Sequence, residues 1–447
     1  MKNHHHSLRI GIVSLGCPKT LVDSEVILGK ACGARYSLAK DISESDVVIL
    51  NTCGFIRDAK EESIEMLLKL IALKKEKKLS GVIVVGCLVQ RYAEELQKEF
   101  PEVDAFIGSG DYMRIAESLK KVAEGRKFVS VHNAGYLAEA HEKRISLTSA
   151  HSRYLKISEG CNHKCSFCVI PSLRGRYRSR RITDLVREAR QLAEEGAKEL
   201  VLIGQDITLF GWDYAGKALL PQLLEAMESV PKIKWVRLLY AYPSTLTDEI
   251  LRAVAQSKQI CRYIDLPLQH ISDKMLKTMR RGGTKSQVVG LIRKVRAMIP
   301  GVVIRTSFIV GFPGETEKDF AELLEFMKEM KFERLGIFRY SREEGSPAAG
   351  LAGQVPEKVK EDRYHRAMQL QQKIVREVHR RVVGTDLRVL IESRDEKDPG
   401  RWIGRSFMDA PEVDGSVLVK TQKNITAGKF YTVKITGARG YDLLGQI

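Results

Sequence analysis

Cys161-Asn-His-Lys-Cys165-Ser-Phe-Cys168 puts three thiols within eight residues. Thiolates are the normal ligands of iron–sulfur clusters, and three on one loop can hold three corners of a four-iron cubane, leaving its fourth iron open. A zinc knuckle uses the same residue type but pairs Cys-x2-Cys with a second pair, and none follows; inert surface thiols are the remaining reading. Cys17, Cys53 and Cys87 form a second, looser set, spaced 36 and 34 residues apart, about one strand-helix-strand unit. Each lies one to three residues past a short apolar run, Ile10–Leu15, Val47–Leu50 or Val82–Val85. Parallel strands present their C-terminal ends on one edge of a sheet, so cysteines placed there converge. Taken singly, each is more often a small buried residue; their shared placement at strand ends favours a site. Cys32 and Cys261 fit neither set and read as structural.

The elements that must hold these residues fall into three segments. Residues 1–143 alternate apolar runs with helical patterns such as Ser24–Lys30 and Asp58–Lys75, which predicts a parallel sheet with right-handed crossovers. Residues 144–375 follow a polar linker, Ala138–His151. They carry strand candidates at Tyr154–Ile157, Leu200–Ile203, Trp235–Tyr240, Tyr263–Leu266, Val302–Val310 and Arg334–Phe338. Helices are expected between them, at Asp184–Glu195 and Glu317–Met330 among others, the latter opened by a weak capping box of Thr316 and Asp319. Six β/α units are too few for a closed eight-fold barrel, so an open, partial one is expected. Gln354–Arg381 reads as a charged helix. Residues 376–447 end in short alternating runs that predict a small all-β barrel.

The balance of the chain narrows the classes. It has 447 residues, 44% hydrophobic and 29% charged, which excludes disorder and collagen-like order. No run approaches the ~18 apolar residues of a membrane span. Eight cysteines in so long a chain are not a disulfide scaffold. No signal-peptide core follows Met1–His6, so a cytoplasmic protein with no membrane association is expected; His4–His6 are set aside as natural residues or a tag remnant. The net charge of +17 points to an anionic partner such as RNA or a ribonucleoprotein surface.

Two open clusters suggest one chemistry. An open iron can chelate the amino and carboxylate groups of S-adenosylmethionine, and a low-potential cluster can donate an electron into the sulfonium. The resulting carbon radical takes hydrogen from an unactivated C–H, and a second open cluster could deliver sulfur there. No conventional acid/base pair is required, so no side chain is assigned as a catalyst, and Gln205, Asp206 and His270 read as loop residues.

The Cys161–Cys168 spacing, with aromatic Phe167 before the last cysteine, resembles the radical S-adenosylmethionine superfamily. With the upstream cysteines and β-rich tail, the whole chain resembles the methylthiotransferases. That resemblance implies a Rossmann-like N-terminal domain, a partial (β/α)6 radical S-adenosylmethionine barrel and a TRAM-type tail. Ser14-Leu-Gly-Cys-Pro-Lys-Thr-Leu-Val-Asp-Ser-Glu25 and Gly404-Arg-Ser-Phe-Met-Asp-Ala-Pro-Glu-Val-Asp-Gly415 resemble the branch that modifies a small-subunit ribosomal protein, the twelfth in the usual naming. Thr20 stands where that branch usually has Asn, and the tRNA-modifying branch has Gln-Met-Asn after the first cysteine. Leu239–Pro243, Asp265–His270 and Tyr340–Pro347 also look like the family.

The resemblance implies β-methylthiolation of an aspartate, with methylthiolation of a tRNA adenosine as the alternative. It implies two [4Fe-4S] clusters. Cys161, Cys165 and Cys168 would hold the one that binds and reduces S-adenosylmethionine, and Cys17, Cys53 and Cys87 the sulfur-handling one. Phe167 would flank the cofactor's adenine. Two S-adenosylmethionine molecules, a reductase or flavodoxin as electron donor, and a sulfur donor would be needed. A non-catalytic iron–sulfur module docked on the ribosome is the reading from another class.

Three further segments bear on ligands. Gly311-Phe-Pro-Gly-Glu315 follows a strong strand candidate; Gly311 and Pro313 are read as cofactor contacts, the alternative being a plain strand-to-helix turn. The tail from Val382 carries ten Lys and Arg against nine Asp and Glu, too neutral for an RNA grip. The run Arg174–Arg181, five Arg in eight residues, is expected to hold a cofactor carboxylate, steer an acidic substrate residue or meet rRNA. The basic stretch Asp273–Arg296 reads as either such a surface or a solvated helix face.

Overall fold

A computed structural model describes residues 8–32 and 36–447; His4–His6 lie outside the described residues. Near-continuous Val and Ile runs suit strands buried on both faces, as in a parallel sheet. The N-terminal domain has strands β1 (Leu8–Ser14), β2 (Tyr36–Leu38), β3 (Val47–Thr52), β4 (Gly81–Gly86), β5 (Ala105–Gly108) and β6 (Phe128–Ser130) in the order β2-β1-β3-β4-β5-β6, all parallel. The three sequence-expected strands are its centre. The other three have only three or four residues, too few for a clear pattern. The helix after β1 runs Pro18–Ala31, beginning directly after Cys17 rather than at Ser24, since proline's fixed φ suits a helix's first turn.

The central domain holds β7 (Ser152–Lys156), the short pair β8 (Ser158–Glu159) and β9 (Arg178–Ser179), then β10 (Glu199–Ile203), β11 (Trp235–Leu238), β12 (Ile260–Asp265), β13 (Val303–Val310) and β14 (Arg334–Arg339). Its main sheet is β14-β13-β12-β11-β10-β7, six parallel strands in an open barrel with helices outside. β11 stops two residues before its expected end because Tyr240 turns to φ 68°. Cys261 lies inside β12, buried, rather than before it. The Thr316/Asp319 capping box forms: Thr316 Oγ1 accepts from the Asp319 N–H at 3.2 Å, and the Thr316 N–H donates to Asp319 Oδ2 at 2.9 Å.

The helix Glu357–Arg380 starts after Pro356, and the residue 375/376 boundary falls inside it. The tail forms β15 (Asp386–Arg394), β16 (Arg401–Arg405), β17 (Val417–Lys420), β18 (Phe430–Arg439) and β19 (Asp442–Gln446), a closed barrel in the order β15-β16-β17-β19-β18. Among the described residues no helix is long and apolar enough to cross a membrane.

Buried charge joins the three parts. The expected linker is packed rather than free: Arg144 pairs with Glu25 and Glu188, and the Leu147 N–H donates to Glu25 at 3.0 Å. The tail loop after β16 plugs the barrel from the end opposite the cysteines, reaching from Glu199 and Arg334 at strand starts to Arg237 and Tyr263 further in. There Glu199 takes Arg237 at 2.8 Å and Arg405 at 2.6 Å, Asp409 pairs with Arg334, and Tyr263 donates to Asp414 at 2.6 Å. The family-like segment Gly404–Gly415 is therefore a structural plug.

Candidate active site

Cys17, Cys53 and Cys87 follow the C-terminal ends of β1, β3 and β4, three neighbouring strands. Glycines let them close up. A Cβ at Gly16 (φ 103°) would lie 2.9 Å from Cys53 Cβ, and one at Gly54 would lie 2.8 Å from the Cys87 carbonyl oxygen. Cys161, Cys165 and Cys168 occupy the loop between β8 and the short helix Ile170–Arg174. Cys87 packs with Val169 and Leu173, immediately past Cys168, so the two triads are neighbours. All six cysteines line one cavity of about 420 Å³ between the N-terminal sheet edge and the barrel's upper mouth. Phe167 lines it too, as do Lys19, Arg174, Gln205, Tyr240, Tyr242 and Arg281.

The thiols sit in contrasting fields. Burial pushes Cys17 up, but the Lys19 ammonium and the Thr20 hydroxyl more than offset it, and the thiol is held below its ordinary range. Burial and neighbouring Cys87 push Cys53 to about 12. Burial likewise raises Cys161 to about 11 and Cys168 to about 12. Buried thiols of this kind become thiolates when a metal neutralises them. N–H donors already face the sulfurs: His163 N–H to Cys161 and Ile170 N–H to Cys168, both at 3.4 Å, Arg281 to Cys165 at 3.4 Å, and Arg174 Nε–H to Cys87 at 3.2 Å.

Among the described residues no three His, Cys, Asp or Glu side chains converge on a single ion. A cubane asks for something else, one thiolate per iron at separate corners. Three soft thiol donors per triad, surrounded by N–H groups, fit that requirement.

Neighbouring side chains fix the cluster loop. His163 stacks on Tyr242 with ring centroids 3.6 Å apart and pairs with buried Asp206 at 2.6 Å. The Arg281 guanidinium lies 4.1 Å over the other partner of that stack, Tyr242. Arg174 joins a buried set spanning both domains: it pairs with Asp23 at 2.6 Å and Glu159 at 3.4 Å, while Lys156 pairs with the same two acids.

The expected steering surface at Arg174–Arg181 is thus largely internal. Arg180 is buried against Asp184 and Glu188, leaving Arg176 and Arg181 exposed. In the stretch from Asp273, Lys274, Lys285, Arg293, Lys294 and Arg296 pair with acids on adjacent helices and loops, while Arg281 turns inward to Cys165. Gly311 and Pro313 are buried but are not among the cavity's lining residues. A side chain at Gly311 (φ 73°) would run into Lys360, and its N–H is held by Glu315. His270 is buried against Glu315 at 3.1 Å, away from the chemistry. Lys19, His163, Tyr240, Tyr242 and Arg281 carried no role in the sequence reading, although Lys19, Tyr240 and Tyr242 lie in segments that looked like the family.

An open six-strand parallel barrel with a three-thiol loop at its C-terminal edge defines the radical S-adenosylmethionine class. Residues 155–327 match the model of the Radical SAM superfamily, residues 9–108 that of the uncharacterized protein family UPF0004, and residues 383–447 that of the TRAM domain. Among solved structures, the radical S-adenosylmethionine methyltransferase TsrM from Kitasatospora setae aligns with a TM-score of 0.56 at 15% identity, covering 76% of this chain and 77% of its own; that similarity is one of fold.

Curated relatives go further. The ribosomal protein uS12 methylthiotransferase RimO of Pelotomaculum thermopropionicum is 48% identical over 98% of this chain and 99% of its own. That of Clostridioides difficile is 44% identical over 98% and 99%. The chain belongs to the ribosomal protein uS12 methylthiotransferase family and is a radical S-adenosylmethionine enzyme.

Proposed function

We propose that this enzyme methylthiolates the β-carbon of an aspartate in ribosomal protein uS12, with Cys161, Cys165 and Cys168 holding one [4Fe-4S] cluster and Cys17, Cys53 and Cys87 the other. The observation that carries the reading is that six cysteines from two domains line a single cavity. When bound, the clusters supply reductive cleavage of S-adenosylmethionine and delivery of sulfur to carbon.

The chain's own residues do the rest. The N–H groups of His163, Ile170, Arg174 and Arg281 stabilise thiolate charge. The Asp206–His163–Tyr242 stack holds the cluster loop against the barrel rim. Phe167 packs against the group containing Met275, Met279 and Phe312 and offers an aromatic face for the cofactor's adenine. Apolar walls exclude water, which preserves a carbon radical from side reactions. An electron donor, reductase or flavodoxin, and a sulfur donor serve the enzyme from outside, in the cytoplasm. The near-neutral tail, with its loop committed to plugging the barrel, favours a protein over a tRNA substrate.

The test uses anaerobically reconstituted protein, dithionite and S-adenosylmethionine, offered both a uS12 loop peptide containing the aspartate and an unmodified tRNA. Mass spectrometry should find one hydrogen exchanged for SCH3 on the peptide alone. A shift on the tRNA alone overturns the substrate assignment. No S-adenosylmethionine cleavage with full cluster loading overturns the chemistry.

A further inference from the structure

Lys19 is the second residue of the helix Pro18–Ala31, two residues past Cys17, and only 9% exposed. Its side chain enters the barrel's upper mouth, where Nζ sits 3.1 Å from the centroid of the Tyr240 ring. Other buried Lys and Arg side chains have polar partners: Lys156, Arg174, Arg180, Arg237, Arg334, Lys360, Arg363 and Arg405 face carboxylates, Arg153 bonds to Thr148, and Arg281 to Cys165 and the Pro267 carbonyl. Among the described residues Lys19 alone of these makes neither a hydrogen bond nor an ion pair with the protein. The nearest carboxylates are engaged elsewhere. Asp265 is held by Arg305 at 3.0 Å and by the Tyr240 N–H at 2.9 Å. Glu159 is held by Lys156, Arg174 and Gln205.

A desolvated ammonium that no carboxylate faces is unfavourable, and a cation–π contact together with the neighbouring Cys17 sulfur compensates it only in part. Tyr240 is moreover held at φ 68°, a conformation rare for an aromatic residue and typical of binding sites. The cavity therefore presents, beside the Cys17 triad, a buried cation that no carboxylate of the protein faces.

We infer that Lys19 Nζ is a carboxylate-binding subsite that receives the side-chain carboxylate of the substrate aspartate. The inference rests on the aspartate reading above and deepens it. In an aspartate the carboxyl carbon is bonded directly to the β-carbon. Anchoring the carboxylate on Lys19 fixes the reacting carbon to within one bond, on the side of the cavity that carries Cys17, Cys53 and Cys87. It also selects aspartate over asparagine, because a neutral amide leaves the buried ammonium uncompensated. A charged hydrogen bond of this kind discriminates roughly 10- to 100-fold.

The experiment measures binding of fluorescent uS12 loop peptides, Asp and Asn versions, to the reconstituted full chain by anisotropy, with iron content as the integrity control. The wild type should prefer the Asp peptide at least about 10-fold, and Lys19→Met should bind the two alike. Lys19→Arg, which keeps the charge, should retain most of the preference. An unchanged Asp/Asn ratio in Lys19→Met overturns the inference. So does a rise in KM for S-adenosylmethionine with the peptide ratio unchanged, which would assign Lys19 to the cofactor's carboxylate. Should Lys19→Met fail to hold iron, the wild type still decides: equal affinity for the two peptides overturns the subsite. Binding of neither peptide by iron-replete wild type refutes the aspartate reading itself.

Discussion

Lys156→Met tests what holds the two triads together. Asp23 and Glu159 face Lys156 and Arg174, and none of the four side chains is more than 4% exposed. Methionine roughly fills the volume but leaves two carboxylates on one guanidinium. Breaking a buried pair from one side costs about 3–5 kcal/mol. Asp23 belongs to the N-terminal domain and the other three residues to the barrel, so the loss falls on domain docking. Hydrogen exchange at the amides of helix Pro18–Ala31 should therefore accelerate by roughly two to three orders of magnitude, since each factor of ten is about 1.4 kcal/mol. The outer barrel helix Glu317–Met330 should be unaffected. The double variant Asp23→Asn/Lys156→Met restores one acid to one cation and should lose less than the sum of the singles, with a coupling of at least about 1 kcal/mol. Additive losses, or wild-type protection of the helix in Lys156→Met, would refute the idea that charge balance docks the domains.

Gly54→Ala should lower iron content by about half, because its Cβ would press on the Cys87 carbonyl and disturb one triad of the two; full iron loading would argue that Cys87 is not a ligand. Cys161→Ala should abolish reductive cleavage of S-adenosylmethionine, whereas Cys261→Ala, buried away from both triads, should leave iron content unchanged. Burial raises Glu199, but Arg405 and Arg237 more than offset it, holding the carboxyl at about 2 against its ordinary 4.5. Its stabilisation, roughly 3 kcal/mol, is complete above about pH 4.5 and fades as pH falls through about 2. Glu199→Gln should remove that part of the acid dependence in urea melts, and an identical pH slope would sink the assignment. Thr316→Ala should cost about 1 kcal/mol through loss of the helix cap, read as a lower urea midpoint.

Residues whose partners are near in sequence, or whose environment is set by a local apolar run, could be read directly. The β1, β3 and β4 runs, the six barrel strands and the Thr316/Asp319 box are of this kind, as are the placement of Cys17, Cys53 and Cys87 at strand ends and of the other three cysteines on one loop. Residues whose meaning depends on distant partners could not. Arg174 and Arg180 look like surface charge until Asp23, Glu159, Asp184 and Glu188 fold around them. Lys19, ahead of the helical pattern that starts at Ser24, carries no signal of its own until Tyr240 packs against its ammonium. Gly311 reads as backbone opened to a ligand, but Lys360, from a helix nearly fifty residues on, occupies that space. The segment Gly404–Gly415 carries a family pattern whose reason is internal, since the acids it contributes neutralise barrel arginines.

That plug orders the birth of the enzyme. Arg334 has its carboxylate partner in Asp409, and the barrel floor stays open to water until the tail loop has been made. A nascent chain that has finished its last barrel strand therefore still lacks a closed interior. The cysteines are translated long before the loop that completes the fold around them. A chain truncated before Asp409 would leave Arg334 without its carboxylate and expose the barrel interior, a species prone to aggregation.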